Sequence, residues 1–320
     1  MSEYYTRRAP PPHFQEKLDN ITLAILDRGR KVLTDKTLEE TMEEFKNFQY
    51  NDIYCLDTPP MDEMDFGYGK KDLPHDPILV NFAKGCNAKL AYTIEYSLKT
   101  DMTPIVIRGL GKKVFIVDSW RKNRPFYYID TGYFGNGRKK IFHRVAKNHL
   151  QTLTEIVPRD NDRLKLTGVG PTKFRRKGSK ILICPPSQKV MNVFSLDVNT
   201  WVEETVSTIK QYTDREIVIR LKPKRDDRVS TNPIEKDFED AFCLVTFNSI
   251  AATEALIYGI PAFTLGPNAA HWLCETNLGK IEQPKYPSTE EVRALLCHLS
   301  YCQFTEDEMA DGTAWRLLHD

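Results

Sequence analysis

The stretch Cys243–Trp272, CLVTFNSIAATEALIYGIPAFTLGPNAAHW, decides the fold class. CLVTF is a short apolar run of β-formers, of the kind buried on both faces of a parallel sheet. Asn248 and Ser249 then offer short polar side chains suited to a helix N-terminus, and Ile250 to Tyr258 continues with helix formers and Glu254 in the second turn. Gly259 supplies the left-handed residue that ends a helix, and Pro261 prevents its continuation. AFTLG is the next buried strand, so the stretch predicts a βαβ unit with one short helix. The plain structural reading is a doubly wound protein whose helix packs and binds nothing.

In open α/β sheets ligands sit outside the carboxyl ends of the strands, and both the Phe247–Ser249 turn and the Gly266–His271 loop leave a strand at that end. The arrangement resembles the C-terminal domain of GT-B nucleotide-sugar glycosyltransferases. Their S/N-S-x-x-x-x-E-A-L-x-x-G-x-P segment is matched by Asn248, Ser249, Glu254, Ala255, Leu256, Gly259 and Pro261. The EALxxGxP part also occurs in sugar-nucleotide epimerases, so that alternative stays open.

Composition bounds the rest. A chain of 320 residues with 41% hydrophobic content can bury a sizeable core and suits two domains. Lys plus Arg number 45 against 44 Asp plus Glu, so only local clusters can point to a polyanion. Seven cysteines without CxxC pairs argue against a disulfide framework or a zinc site. No run approaches a membrane span of about 20 apolar residues, so no membrane partner and a cytoplasmic location are expected.

In chain order, 1–12 reads as a flexible arm with Arg7 and Arg8, and 14–33 and 38–48 as helices appended before the first strand, NDIYCL. The 57–77 loop carries Asp57, Asp62, Asp65 and His75, with no spacing that imposes a metal site. Ile78 to Phe82 is read as a strand, Ala88 to Leu98 as a helix, and Thr103–Ile107, Lys113–Val117 and Phe126–Ile129 as strands. Asp130 stands just beyond the last of these, in FYYIDTGYFGN. A carboxylate fixed at a strand end can accept the proton of an acceptor hydroxyl, and it can equally serve an Asx-turn.

A strand ending in Asp-x-Gly-[Tyr/Phe], then a basic helix-like segment, resembles the capsular-type sugar transferases. It also resembles bacteriophage proteins regarded as DNA glycosyltransferases, through YYIDxGYFG…RVxKNxLQ, matched from Tyr127 to Gln151 with Arg144, Lys147, Asn148, Leu150 and Gln151 in place. In the capsular pattern a Glu precedes the Asp; here it is absent and Thr131 follows. The segment GVGPTKFRRKGSK reads as a basic linker, with Lys173, Arg175, Arg176 and Lys177 open either to a solvated hinge or to phosphate contacts. ILIC then opens the second domain, followed by the turn containing Ser187. Thr200 is read as capping a helix through Tyr212. Glu216 to Leu221 is a strand leading into KPKRDDR, whose Lys222-Pro223 stands where related GT-B enzymes carry His-Pro or Lys-Pro. Neither Gly-x-Gly-x-x-Gly nor Gly-Lys-[Ser/Thr] occurs, which argues against a dinucleotide enzyme or a P-loop NTPase. Ser288 with Glu291 and Thr305 with Glu308 predict two capped helices, the second running through Leu318.

The expected fold is α/β, with two Rossmann-like domains facing a cleft in the GT-B manner and an N-terminal helical extension. The divisions are an arm with helices over 1–50, an acceptor domain over 51–175, a nucleotide-sugar domain over 176–300 and a returning helix over 301–320. The resemblance implies sugar transfer from a nucleotide-sugar cosubstrate, with no other cofactor and no metal. Ser187, Arg220, Lys222, Asn248, Ser249 and Glu254 would hold the donor, and Asp130 would be the base. Arg144, Lys147, Lys173, Arg175, Arg176 and Lys177 would hold the acceptor, double-stranded DNA carrying a hydroxymethylated pyrimidine flipped from the stack. A saccharide acceptor of the capsular type, an epimerase-like sugar enzyme and a non-enzymatic nucleic-acid binder are the alternatives.

Overall fold

The computed structural model describes residues 53–57, 76–92, 103–136, 140–221 and 233–319. The readings for the N-terminal arm and helices, for Asp62, Asp65 and His75, and for Lys222, Lys224, Arg225 and Arg228 lie outside these residues. The chain divides into two compact units. Among the described residues one holds 53–130, 143–150 and 304–319, and the other holds 131–142 and 151–303.

The first unit contains β1 (Tyr54–Asp57), α1 (Pro77–Cys86), β2 (Lys89–Tyr92), β3 (Ile105–Arg108), α2 (Lys113–Lys122), β4 (Phe126–Thr131) and β5 (His143–Lys147). With the short strand β10 (Gln303–Phe304) they form a sheet in the order β10-β5-β4-β3-β1-β2. The pairs β1–β2, β1–β3 and β3–β4 are parallel. The Asn148 amide bonds the Phe126 carbonyl at 2.8 Å and the Gly132 amide bonds the Phe142 carbonyl at 2.9 Å. Those two bonds make β4 and β5 an antiparallel hairpin in which Asp130 lies across from Arg144.

Three elements here are the reverse of the sequence reading. Residues 78–82 are helical, 89–92 form a strand, and 113–117 begin a helix. Short apolar runs do not distinguish the two states, and the ends decide. Asp76 accepts from the Ile78 amide at 3.0 Å, Pro77 occupies the first turn, and Asn87 closes α1 in the left-handed region at φ 53°. Ile78, Leu79, Phe82, Ala83 and Cys86 form the buried stripe of a helix. Asn123, also at φ 53°, closes α2 in the same way. The HRVAK segment, read as helix-like, is strand β5, buried from His143 to Ala146.

The second unit contains α3 (Asp162–Leu166), β6 (Lys180–Ile183), α4 (Gln188–Met191), α5 (Val198–Ile209), β7 (Glu216–Ile219), α6 (Ile234–Phe238), β8 (Ala241–Thr246), α7 (Ala251–Ile257), β9 (Ala262–Thr264) and α8 (Thr289–Ser300). Its sheet runs β7-β6-β8-β9 with every pair parallel. Alternation along the strands builds two cores. Ile181, Ile183, Cys243 and Val245 pack with Trp201 and Ile209 of α5, whereas Leu182 and Leu244 pack with Ala255 and Leu256 of α7. The helices therefore cover both faces, as the continuous apolar strands require.

Asp197, rather than Thr200, caps α5, accepting from the Asn199 and Thr200 amides. Gly259 takes φ +69° after α7. The capping boxes at Ser288–Glu291 and Thr305–Glu308 are both formed. The last helix is interrupted: α9 (Glu306–Ala310) and α10 (Thr313–Leu317) are separated at Gly312, whose φ is +84°. A Cβ on Gly85 would lie 1.9 Å from the Met309 carbonyl oxygen, so this turn sits directly on the end of α1.

Candidate functional site

In the four-stranded sheet β6 comes first, β7 pairs on one side of it and β8 on the other. Ile183 is in register with both Ile219 and Val245, so the carboxyl ends of the three strands are level. The chain leaves β6 toward α4 and α5 on one face and leaves β8 toward α7 on the other. Such a switch point opens a crevice outside the strand ends.

Of the sequence-derived donor residues, Ser187, Arg220, Asn248 and Ser249 lie in the segments that follow these strands, and Glu254 is half-buried within α7. Ser187 is exposed at the start of α4 and uses no side-chain cap bond. Asn248 is buried just past β8. Ser249 is half-buried; its amide donates to Thr246 Oγ1 at 3.2 Å and its Oγ accepts from the Ala251 amide at 3.3 Å. Thr246 Oγ1 in turn donates to the Cys184 carbonyl at 2.6 Å, tying β8 to the end of β6. Arg220 follows β7, its amide on the Ile183 carbonyl at 2.8 Å and its guanidinium paired with Asp237 of α6. Burial pushes the Cys184 thiol up to about 12, with Arg220 drawing it down and Glu254 adding to the rise. Both charges are thus felt at the end of β6. Lys222 is outside the described residues.

Two amides that sequence reasoning left out of the donor site hold this edge together. Gln151 is buried; its Nε2 donates to the Asn248 carbonyl and its Oε1 accepts from the Ala269 amide at 2.9 Å. Asn268 is fully buried; its Nδ2 donates to the Ser249 carbonyl at 2.9 Å and its Oδ1 accepts from the Ala270 amide at 2.9 Å. The signal for Gln151 was its place in the RVxKNxLQ pattern. Nothing local marked Asn268.

In the other unit Asp130 sits near the end of β4 with its side chain 40% exposed. Its Oδ2 accepts from Arg144 Nη2 at 3.0 Å and from the Tyr128 hydroxyl at 3.1 Å. Arg144 also donates from Nε to the Leu150 carbonyl at 3.1 Å and lies 5.8 Å from the Tyr128 ring centroid. Burial first, and then the Asp130 charge, push the Tyr128 hydroxyl well above its ordinary range, so it stays a donor. Two of the anchors of Asp130, Arg144 and Tyr128, thus come from the strands of the hairpin. Arg144, read from sequence as a phosphate contact, is 7% exposed and serves Asp130 and Leu150 instead.

The remaining cations are distributed differently from the sequence reading. Lys147 is exposed at the end of β5. Lys173, Arg175, Arg176 and Lys177 are exposed but do not form a free hinge. The Thr172 amide bonds the Ile257 carbonyl and the Arg175 amide bonds the Gly259 carbonyl, each at 2.9 Å. The Arg175 side chain reaches the Phe238 carbonyl at 3.1 Å, and Arg176 stacks 4.9 Å from the Tyr286 ring centroid. The strap is docked against the end of α7, inside the same unit as the four-stranded sheet.

Among the described residues no group of three or more His, Cys, Asp or Glu is placed to hold a metal ion, and no helix is long and apolar enough to cross a membrane. No protein-family model matches the chain, and no curated protein matches it in sequence. Solved structures are similar, two of them as follows. One is the Thermosulfurimonas dismutans KpsC β-Kdo 2,7 transferase, at 12% identity over 83% of this chain and 99% of that one, with a TM-score of 0.45. The other is the β-Kdo 2,4 transferase of the same organism's KpsC, at 9% identity over 79% and 91%, with a TM-score of 0.41. Overlap at that level assigns neither fold nor function to this chain.

Proposed function

We propose that the protein is a glycosyltransferase that binds a nucleotide-sugar donor at the carboxyl edge of the four-stranded sheet and passes the sugar to a hydroxyl acceptor. The observation that carries this reading is the switch point between β6 and β8, with Ser187 in the segment after β6, Asn248 and Ser249 in the turn after β8, and Arg220 after β7. Polar side chains and a guanidinium, here shared with Asp237, are groups that can hold a diphosphate or phosphate as it departs. Lys222, two residues beyond Arg220, adds a second cation in sequence. We assign Glu254, half-buried in α7, to the ribose or base.

Asp130 is the base. Arg144 and Tyr128 hold one carboxylate oxygen, which fixes its direction, and the side chain is exposed enough for an acceptor hydroxyl to reach it. The acceptor is a hydroxymethylated pyrimidine of duplex DNA. That assignment rests on the YYIDxGYFG…RVxKNxLQ resemblance and on the exposed cations Lys147, Lys173, Arg175, Arg176 and Lys177. The test is to incubate the protein with hydroxymethylcytosine or hydroxymethyluracil DNA and a mixture of nucleotide sugars, then weigh the released nucleosides. A gain of one sugar mass is expected. Glycosylation of a saccharide acceptor with DNA unchanged replaces the DNA acceptor with the capsular type, and no transfer to either overturns the reading.

A further inference from the structure

Gln151 makes a connection that the proposed reaction does not itself require. Three of the strand-end segments of the four-stranded unit are bonded through backbone pairing: β6 to β7 at Arg220, β6 to β8 at Cys184, and β8 to β9 at Leu265. The loops that continue past these strands have no such ladder. Past β8 the chain turns at Asn248 and Ser249, and past β9 it turns at Asn268 to Ala270. Two side chains join them, the first being Gln151, with Nε2 on the Asn248 carbonyl and Oε1 on the Ala269 amide. Asn268 adds a second link to the Ser249 carbonyl.

The chemistry calls for an amide at this position. One partner is an acceptor and the other a donor, and a primary amide presents both functions from one planar group. At 3% exposure an unmatched half would leave a buried carbonyl or N–H without water to replace it. Gln151 is not drawn from the sheet it serves. It arrives from residues before α3, so the two loops are locked by a segment outside both of them.

We infer that Gln151 is the positioning residue that locks the post-β8 and post-β9 loops together and thereby sets the shape of the donor crevice. The donor part of this inference rests on the proposed glycosyltransferase reading; the clamp itself does not. Gln151 touches neither donor nor acceptor and acts through Asn248 and Ala269.

Two variants separate its two halves. Gln151→Met keeps the length and removes both bonds, whereas Gln151→Glu keeps an acceptor for the Ala269 amide and sets an oxygen against the Asn248 carbonyl. Hydrogen exchange of the full chain, resolved to 247–250 and 268–271, reads each half. In Gln151→Met both segments are expected to exchange about tenfold faster with the β6 and β8 amides unchanged. In Gln151→Glu the Ala269 amide is expected to stay protected while 247–250 loosens, a split that a general packing defect does not produce. Unchanged exchange in Gln151→Met, or equal loosening of both segments by both variants, overturns the clamp. The same proteins are titrated with CMP, UDP, GDP and dTDP. The best of these is expected to bind Gln151→Met about tenfold more weakly, and undiminished affinity in a loosened variant overturns the positioning role. If the native protein binds none of the four, the donor reading fails, while the exchange result still decides the clamp.

Discussion

The parallel parts of the two sheets are wound alike, with the first strand flanked by the second on one side and the third on the other, and each carries an Arg–Asp pair at a strand end, yet the remaining strand-end residues differ. In the four-stranded sheet the carboxyl edge is made of hydroxyls, amides and a guanidinium around Thr246, Asn248, Ser249 and Arg220. In the six-stranded sheet the end of β4 presents a carboxylate held by Arg144 and Tyr128. Topology decides where a site opens, and the residues at the strand ends decide what charge it accepts. Under the proposed function the first edge takes the anion and the second the proton.

The comparison breaks most sharply at Asp130. Asp130→Asn keeps an oxygen for Arg144 and removes the base, so turnover should fall by roughly 10²–10⁴-fold with nucleotide affinity unchanged. Arg144→Met should lower turnover less, since the carboxylate remains but loses its anchor, and should also cost about 1–3 kcal/mol of stability by leaving the buried Leu150 carbonyl without this donor. Steady-state kinetics beside nucleotide titration distinguishes the two. A fully active Asp130→Asn protein returns Asp130 to a structural role.

A smaller effect probes how the four-stranded unit is built. Gly259 combines φ +69° with a position whose added Cβ would lie 2.3 Å from the Lys173 carbonyl oxygen. Gly259→Ala should therefore cost about 1–3 kcal/mol, measured as a lowered midpoint of denaturant unfolding, because the strap cannot stay docked on α7. Retained stability would mean that the strap is loosely held after all.

Per pH unit, the smallest effect concerns one histidine in each unit. Burial draws His149 down to about 4 and His298 down to about 4, the latter with help from Arg159. Both folded values lie below the ordinary histidine value of about 6.5, so the unfolded chain takes up protons first. Stability should be fully present above about pH 6.5 and fall as pH drops toward 4, by up to about 1.4 kcal/mol per pH unit for each histidine. Unfolding midpoints across that window should flatten in His298→Gln, and an unchanged slope would mean that His298 is hydrated in the folded state.

Much of the four-stranded unit was legible in the sequence because its signals reinforce one another. The apolar run of β8, Gly259 and Pro261 leave one reading, and the structure has a strand, a seven-residue helix and a strand there. Residues 78–82 and 113–117 were inverted because apolar runs of five carry no period. Pro77 after Asp76, and the left-handed caps Asn87 and Asn123, were the informative positions. At the candidate site, Ser187, Asn248 and Ser249 follow from strand ends and are visible in one dimension. The role of Arg144 is not, because it depends on Asp130 lying across the hairpin. Nor is that of Gln151, whose partners lie 97 and 118 residues away.

The central claim is that the β6–β8 switch point holds a nucleotide. Calorimetric titration of the native protein and of Ser187→Trp with CMP, UDP, GDP and dTDP tests it most directly, because Ser187 is exposed in the segment that follows β6 and an indole there adds bulk without replacing a core residue. The account predicts saturable binding of at least one nucleotide by the native protein and its loss in Ser187→Trp with the melting temperature retained. Binding of none, or equal binding by both proteins, contradicts it.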